Sequence, residues 1–518
     1  MLKRITTLFI LIGLVFTFSN SKKIKAANFV MTNIEQPIHR TFDGTTNVER
    51  FVEIEYHKKS KSRFNVLEFD NNDEDIHVVS MSNYSDFAWG TSTLEGMIYS
   101  FELANPHLEV LGGVNGDFFD INNTKRPSGV FVQDYEVLRG RSTRPVFNVR
   151  SDRTFDIGVP KRLGLEVLVI DNNNEIKYRE LVDKHNKETN SKDELGIYFE
   201  NYESINNNYD YVVIEAQDIK YVGSTSSTNL EFAKGNVDFD LKIDDLDERK
   251  FVIMIDGIKD VITQNDTVII QSRLEGYENV RATSGGNRIL IQDGIIPQEL
   301  IDSDDYNVVT AQHPRTIVGI REDGSLFFVV NNGRDEKEDV PGLSSQEQAF
   351  LMKELGAYNA LNLDGGGSST MMARNFDGTF EVLNKLSDGN MRSVSTVLLI
   401  VRGDVKEQPI NIEGVDNRET FTKPTNLYVD FDNNLTFDSV DMATRYIVTV
   451  GDNEYETSKT NFSLNSFKPG EYNISVRVKG NMSGKTSLES DILKYQVKEK
   501  TTNEILEWLN NFAKNSNN

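Results

Sequence analysis

Most of the chain alternates apolar and polar residues at the spacing of β-strands, and helical spacing is rare. Stretches such as VERFVEIEY, FNVLEFD and IHVVSMS alternate or stay apolar over strand lengths, and turns rich in Asn and Asp separate them. The pattern predicts an α+β fold, with a mixed β-sheet core and few helices.

Two capping boxes predict the helices. Ser92 with Glu95 opens the first helix, and Ser344 with Glu347 opens a second one, which Gly356 can end in the left-handed conformation. An apolar strand follows each helix and ends in LEVLGGVNGDFFD or NALNLDGGGSST. We expect two helix–strand units on one sheet system, each presenting a carboxylate at its strand end.

Shifts in composition divide the chain into segments. The main domain is expected at residues 28–402, and its residues 163–250, richer in Asn, Asp and Lys, predict an insertion or decoration. A polar linker at 403–421 leads to strand-like runs at 422–498, whose spacing predicts a β-sandwich. In that segment PTNLYVDFDNNLTFDSV, RYIVTV and PGEYNISVRV resemble a fibronectin type III domain. Residues 499–518 predict a polar tail with a short amphipathic helix.

The N-terminus has the pattern of an export signal. Lys3 and Arg4 precede an apolar run at residues 5–18, shorter than the roughly 20 residues that span a bilayer. We therefore predict a signal peptide at residues 1–27 and a secreted or cell-surface protein. The cleavage site stays open, and an uncleaved signal would leave the protein anchored to the membrane.

Charge and cysteine content exclude several classes of function. The 518 residues include 56 basic and 80 acidic ones, a net charge of −24, which argues against a nucleic-acid-binding protein. The absence of cysteine removes disulfides, thiolate metal sites and thiol nucleophiles. Residues 121–162 are a local exception, with nine basic and four acidic residues. This segment predicts a place for an anion, and a solvated loop face is the alternative.

Standard hydrolase signatures are absent from the sequence. There is no G-x-S-x-G, no H-E-x-x-H and no Walker loop, and the six histidines are scattered. A serine triad or a zinc protease is therefore disfavoured.

Five segments do not have the pattern of ordinary core. Asn115 and Asp117 flank Gly116 at a strand end, and RPSGVFVQDYEVL and RATSGGNRILIQDG place small residues before apolar strands. HPRTIVGI carries an arginine into a strand, and Asp364 is followed by GGGSST. Bare glycine lets backbone N–H groups approach an anion, and hydroxyls add donors. Taken singly, each segment is equally explained as a turn or a flexible corner.

Taken together, these segments resemble one family. VNGDFFD, PSGVFV, SGGNRILIQDG, HPRTIVGIREDG, NLDGGGSSTMM and RSVSTVLLIV occur in the order and character of the phosphodiester glycosidase family. The resemblance covers residues 78–401 and is weakest at 163–250. It implies a hydrolase that cleaves a sugar-1-phosphodiester between the anomeric carbon and the phosphate oxygen, but the substrate does not carry over from the family. The predicted export favours a cell-wall or secreted glycopolymer as the natural carbohydrate substrate.

That reaction assigns expected roles to residues. The leaving phosphomonoester has a second pKa of about 6, so it needs little help from a strong acid. The site must supply positive potential around the phosphate and a carboxylate near the anomeric carbon. The catalytic candidates are Asp117, Asp364 and Arg315, whose planar fork can bind phosphate oxygens, and we expect them to converge on one cleft. The candidates for substrate binding are Asn115, Gly116, Arg126, Ser128, Gly285, Gly286, Thr316, Gly365, Gly366, Gly367, Ser368, Ser369, Thr370 and Arg392.

Several alternatives stay open at this point. The sequence does not say which aspartate is the nucleophile or base, whether the mechanism inverts or retains, or which sugar is cleaved. No cofactor is certain, and a divalent cation such as Ca²⁺ tying the acidic residues together stays open. A non-catalytic binder of wall polymer and a phosphodiesterase that cuts the P–O bond are the two alternative functions.

Overall fold

A computed structural model of the chain describes residues 29–497, without residues 86–87, 201, 203, 206–207, 222–229, 304–310, 411–419, 431–432, 442, 444 and 480–485. The predicted signal peptide and C-terminal tail lie outside the described residues, as does much of the predicted linker.

Two antiparallel sheets form the core. The five-strand core sheet contains, in pairing order, Phe380–Val382, Met371–Arg374, Glu109–Asn115, Thr396–Arg402 and Ile76–Ser82. The eight-strand core sheet contains Val30–Asn33, Thr45–Tyr56, Lys58–Phe69, Leu326–Asn331, Arg315–Arg321, Ala357–Asn362 and Arg288–Ile291, with Ile38–Thr41 paired to Thr45–Tyr56.

The two core sheets pack face to face and a helix covers each outer side. Val114 and Leu398 of the five-strand sheet share one buried cluster with Val318 and Leu361 of the eight-strand sheet. The helix Leu94–Ala104 packs on the outer face of the five-strand sheet, and the helix Ser345–Glu354 packs on the eight-strand sheet. Central strands are therefore buried on both faces, which explains why their sequences are continuous apolar runs. The expected β-rich fold with few helices is confirmed.

The two strands that end in the quoted motifs lie in different sheets. Glu109–Asn115 belongs to the five-strand core sheet and Ala357–Asn362 to the eight-strand core sheet. The expectation of two helix–strand units on one sheet system is therefore wrong. Each helix instead covers its own sheet, and the motifs meet because the sheets face each other.

The helix ends follow the capping rules with one difference. Ser344 and Glu347 form the predicted reciprocal capping box, and Gly356 has the expected left-handed φ of 84°. The first helix begins one residue later than predicted, because the Thr93 hydroxyl accepts the Gly96 N–H at 3.1 Å. Ser92 is therefore not the N-cap residue.

Smaller sheets complete the main domain. A three-strand sheet, whose inner residues join the central core, contains Phe155–Gly158, Val146–Arg150 and Val280–Gly285. Two hairpins pair Phe131–Gln133 with Glu136–Arg139 and Tyr84–Ser85 with Ala88–Trp89. The remaining helices of the described residues are Ile258–Val261 and Gln298–Asp302, and the short 3-10 turns are Ile243–Asp245 and Gly366–Ser368.

A second eight-strand sheet is built from the region between the cationic segment and residue 274. Its strands, in pairing order, are Ile176–Leu181, Arg162–Ile170, Thr267–Leu274, Leu230–Val237, Tyr211–Tyr221, Lys250–Met254, Gly196–Tyr198 and Lys184–His185. It has an apolar cluster of its own, including Val167, Ile214 and Phe251.

The C-terminal region is all β. One sheet contains Tyr428–Val429, Asn434–Thr436 and Asn461–Ser463, and the other contains Asn453–Thr457, Tyr446–Val450, Gly470–Val478 and Leu493–Val497. Leu435, Val448 and Val476 share its buried cluster. The resemblance of this region to a fibronectin type III domain stays a prediction.

The length and hydropathy of the helices bear on membrane insertion. Among the residues that the structure describes, no helix is both long and apolar enough to cross a membrane.

The cap of the first helix can be tested by a pair of substitutions. Thr93→Ala should lower the free energy of unfolding by about 1 kcal/mol, because the Gly96 N–H loses its acceptor. Ser92→Ala is the matched control and should change stability by less than half as much. Denaturant unfolding followed by circular dichroism measures both, and an equal loss in the two variants would contradict the Thr93 cap.

Candidate active site

The buried side chain of Asn115 joins three segments. Its Nδ2 donates to the Asp364 carbonyl at 2.8 Å, and its Oδ1 accepts from the Thr316 hydroxyl at 2.6 Å and from the Thr370 N–H at 3.1 Å. Asn115 is 1% exposed and Thr316 is fully buried. Both were predicted to bind substrate, but their hydrogen bonds are used to position the loop after Asp364.

Backbone hydrogen bonds bring the two predicted carboxylates together. The Asp364 N–H donates to the Gly116 carbonyl at 3.0 Å, and the Gly116 N–H donates to the Thr396 carbonyl at 2.8 Å. The segments that carry Asp117 and Asp364 therefore lie side by side, although they follow strands of different sheets. The Asp364 charge contributes to the pKa of Asp117, as expected for neighbouring carboxylates.

Asp117 is a buried carboxyl whose two oxygens differ in their hydrogen bonding. Its Oδ2 accepts the Gly129 N–H at 2.5 Å, while its Oδ1 has no hydrogen-bond partner among the described residues. Burial raises the pKa of Asp117 to about 7, and the Arg139 and Arg144 guanidinium groups only partly oppose this. A carboxyl in this state can hold a proton near neutral pH.

Close packing at and near Asp117 explains three of the predicted glycines. A Cβ on Gly285 would lie 2.5 Å from Asp117 Oδ2, and one on Gly286 would lie 2.5 Å from the Asn362 carbonyl oxygen. A Cβ on Gly116 would lie 2.6 Å from the Thr396 hydroxyl. These three glycines were predicted to bind substrate, and the structure shows that close packing requires them.

Asp364 has a pKa raised to about 6. Burial is the largest cause, while the Ser368 hydroxyl, the Gly365 N–H and the charge of Arg392 oppose it. The Gly365 N–H donates to Asp364 Oδ1 at 2.8 Å. Asp364 is therefore the more easily ionised of the two carboxyls.

Arg315 lies near Asp364, and two of its five guanidinium N–H donors are bound to backbone carbonyls. Its Nε donates to the Leu343 carbonyl and one Nη donates to the Ala311 carbonyl, both at 3.1 Å. Burial, together with the charges of Arg288 and Arg334, lowers the pKa of Arg315 to about 10. These two bonds fix the orientation of the guanidinium and leave its other N–H donors for a ligand, so the expected phosphate clamp stays a prediction.

Two other arginines lie over the glycine loop, residues 364–370. A Cβ on Gly366 would be 3.0 Å from an Nη of Arg334, and one on Gly367 would overlap an Nη of Arg392. Gly366 also has a left-handed φ of 64°. Arg392 pairs with Asp388 at 2.6 Å. These glycines therefore give room to cationic head groups. Sequence reasoning missed Arg334 because NNGR carries no motif of its own.

The amides of the glycine loop are mostly used within the protein. Backbone N–H groups of Gly365, Gly366, Ser368, Ser369 and Thr370 donate to protein acceptors. The expectation of free amides for an anion is therefore not met at these positions. The buried Ser368 hydroxyl acts on Asp364, and the buried Ser369 hydroxyl has no hydrogen-bond partner among the described residues, so it remains available as a donor.

The remaining predicted binding residues lie on the Asp117 side. The carbonyl of Ser128 accepts the Ser142 hydroxyl at 3.1 Å. Arg126 Nη1 lies 4.0 Å from Glu231 Oε1, near Arg139. Arg126, predicted to bind substrate, therefore lies with Arg139 and not with Arg315.

The described residues were also compared with the requirements of a metal site. Among the described residues no group of three or more His, Asp or Glu side chains is arranged to hold a metal ion. A divalent cation at this site stays a sequence-based alternative.

One region of the chain matches a known protein family. Residues 251–401 match the family model described as phosphodiester glycosidase (NAGPA). The matched region contains Arg315, the glycine loop and Arg392, and it ends with the strand Thr396–Arg402. The resemblance drawn from the motifs is confirmed for residues 251–401, and the motifs VNGDFFD and PSGVFV lie outside the matched residues.

Other similarities are distant. An uncharacterized protein derived from the SPbeta prophage of Bacillus subtilis is 34% identical over 96 residues, which are 18% of this chain and 13% of that protein. A hypothetical protein from Synechocystis aligns with a TM-score of 0.44 and 15% identity over 73% of this chain and 68% of its own. The catalytic domain of zebrafish N-acetylglucosamine-1-phosphodiester alpha-N-acetylglucosaminidase, auto-inhibited by its pro-peptide, aligns with a TM-score of 0.38 and 14% identity over 72% and 87% of the two chains.

The buried state of Asp117 predicts how stability depends on pH. Because the folded-state pKa, about 7, exceeds the ordinary value of 3.8, ionising Asp117 costs folding free energy, and this cost is absent below about pH 4 and complete above about pH 7. Asp117→Asn should therefore be more stable than the natural protein at pH 8, by on the order of a few kcal/mol, and equally stable at pH 4. Thermal unfolding across this range measures the difference.

Asp120 provides the control for this experiment. It is solvent-exposed, and hydrogen bonds from the Thr124 and Asn123 N–H groups lower its pKa to about 2. Asp120→Asn should bring no gain in stability at pH 8. A gain as large as that of Asp117→Asn would show that the effect comes from net charge and not from burial.

Proposed function

We propose that this chain, whose residues 251–401 match the phosphodiester glycosidase family model, hydrolyses the sugar C1–O–phosphate bond of a sugar-1-phosphodiester. The observation that carries the proposal is the pair of adjacent carboxyls, the buried Asp117 and the half-buried Asp364, with raised pKa values and arginines beside each. Perturbed carboxyls next to specific cationic partners are typical of catalytic sites.

The two carboxyls would divide the chemistry by their pKa order. Asp364, with the lower pKa, is ionised first and faces the developing positive charge at the anomeric carbon, as nucleophile or as base for water. Asp117 keeps its proton to a higher pH and supplies it to the departing phosphate oxygen. Asp117 and Asp364 together then hold one proton and titrate as a coupled pair.

Arginines would hold the phosphate. Arg334 and Arg392 lie over the glycine loop beside Asp364, and Arg392 acts on the Asp364 charge. A phosphate placed there would accept from both guanidinium groups, and charge that develops on the leaving oxygen would be stabilised. Arg315 adds positive potential beside Asp364, and its bonds to the Leu343 and Ala311 carbonyls fix its position.

The setting of the enzyme is also a proposal. The signal-like N-terminus supports export to the cell surface, with a cell-wall or secreted glycopolymer as substrate. The grouping of three and four strands supports a fibronectin type III-like module at the C-terminus. Fractionation of cells that produce the full chain tests the location, and recovery of the protein in the cytosol would contradict it.

The pKa values predict a narrow pH optimum. Below about pH 6 Asp364 becomes protonated, and above about pH 7 Asp117 loses its proton, so kcat/KM should follow a bell with its maximum between these values. Initial rates on an N-acetylglucosamine-1-phosphodiester between pH 4 and 9 measure the profile. A rate that keeps rising to pH 9 would contradict the role of Asp117 as proton donor.

Substitution of Asp364 tests the reaction itself. Asp364→Asn keeps the shape and removes the charge, so turnover should fall by roughly a thousandfold or more while the fold is retained. Asp377→Asn, in the exposed turn between the strands Met371–Arg374 and Phe380–Val382, is the control and should keep its rate. Hydrolysis in heavy-oxygen water identifies the bond: label in the sugar supports C–O cleavage, and label in the phosphate would support a phosphodiesterase instead.

A further inference from the structure

A second group of arginines lies on the Asp117 side and has no role in the proposed hydrolysis. We call it the second arginine cluster, and its members are Arg126, Arg139, Arg141, Arg144 and Arg162. Arg139 and Arg144 act electrostatically on Asp117, and Arg139, Arg126, Arg141 and Arg162 act on Glu231. The cluster therefore extends from the catalytic centre to the strand Leu230–Val237 of the second eight-strand sheet.

The counter-charge within the cluster is small and poorly placed. Glu231, 1% exposed, lies 4.0 Å from Arg126 Nη1 and 3.9 Å from Arg139 Nε. These distances are too long for hydrogen bonds. By contrast, Arg150 pairs with Asp156 at 2.6 Å and Arg402 with Asp43 at 3.0 Å.

Buried donors in the cluster are left unmet. Arg139 Nε and Arg126 Nη1 are buried and have no hydrogen-bond partner among the described residues, and the same holds for both carboxylate oxygens of Glu231. Arg139 is only 7% exposed. Buried polar atoms without partners are uncommon in folded proteins, and a bound anion would supply the acceptors that these arginine donors lack.

The positions of the two arginine groups bear on the substrate. Asp364 has Arg392 and Arg315 beside it, and Asp117 has Arg139 and Arg144. A single phosphodiester can be bound by only one of these two arginine groups. A sugar held between the two carboxyls would present its C1 phosphate to one group and a substituent on another carbon to the other group.

From this arrangement, and resting on the proposed function, we infer that the second arginine cluster binds a second phosphodiester, carried by another carbon of the sugar that is cleaved. The substrate class is then a repeating sugar-phosphate polymer, in which every sugar lies between two phosphates. Arg141 and Arg144, both exposed, contact this second phosphate. The buried Arg139 Nε, which has no acceptor among the described residues, donates to it.

Matched substrates test this inference. One probe is an N-acetylglucosamine-1-(methyl phosphodiester), and the second carries a further methyl phosphodiester on C6. The same pair is made on glucose. The full chain should show a kcat/KM at least about tenfold higher for the two-phosphate probe. In the Arg141→Gln/Arg144→Gln variant this ratio should fall close to one.

A control variant separates a local effect from net charge. Lys353→Gln/Lys468→Gln removes the same two charges from exposed positions on the helix Ser345–Glu354 and in the C-terminal region, and it should keep the ratio of the natural protein. A ratio near one in the natural protein, or an unchanged ratio in the arginine variant, would overturn the inference.

Failure of the proposed function would give a different result. If the natural protein cleaves neither member of either pair, titration calorimetry of the same probes still tests the cluster. Tighter binding of the two-phosphate probe, lost in the arginine variant and kept in the lysine variant, would support the site without catalysis. Equal affinity of both probes for the natural protein would overturn it.

Discussion

The site depends on one buried amide. Asn115 ends a strand of the five-strand core sheet, and its three hydrogen bonds reach a strand of the eight-strand core sheet and both ends of the glycine loop. Buried side-chain amides are stable only when their partners are in place, and losing one partner leaves a costly unmet group. The register of the two sheets and the position of Asp364 are therefore fixed together.

Burial around this joint sets the chemistry of the carboxyls. Asp117 and Asp364 lie where water is largely excluded, and their nearest arginines act at a distance without forming direct ion pairs among the described residues. A direct pair would hold each carboxylate ionised, as happens for Asp335 with Lys385. Because the arginines do not pair directly with the two carboxyls, the protonation state of the carboxyls can change near neutral pH. The folded state is less stable as a result.

Local features of the fold could be predicted from the sequence, and long-range features could not. The Ser344 capping box, Gly356 and the strand Ile76–Ser82 follow from residues close in the chain. The N-cap of the first helix was misplaced because two adjacent hydroxyl residues compete for it. The assignment of each motif strand to its own sheet depends on face-to-face packing, which no local pattern encodes. The motifs located both carboxyls, but the orientation of Arg315 and the approach of Arg334 depend on backbone carbonyls and glycine gaps distant in sequence.

The glycines of the loop have a consequence for how such sites are studied. Gly366 and Gly367 leave space that two guanidinium groups fill, and Gly285 leaves space for Asp117. A side chain introduced at any of these positions would displace a charged neighbour, so a loss of activity there would report on that neighbour. Sensitivity to substitution and contact with the ligand are thus separate properties here, and only the arginines and hydroxyls that the glycines accommodate would report on which ligand is recognised.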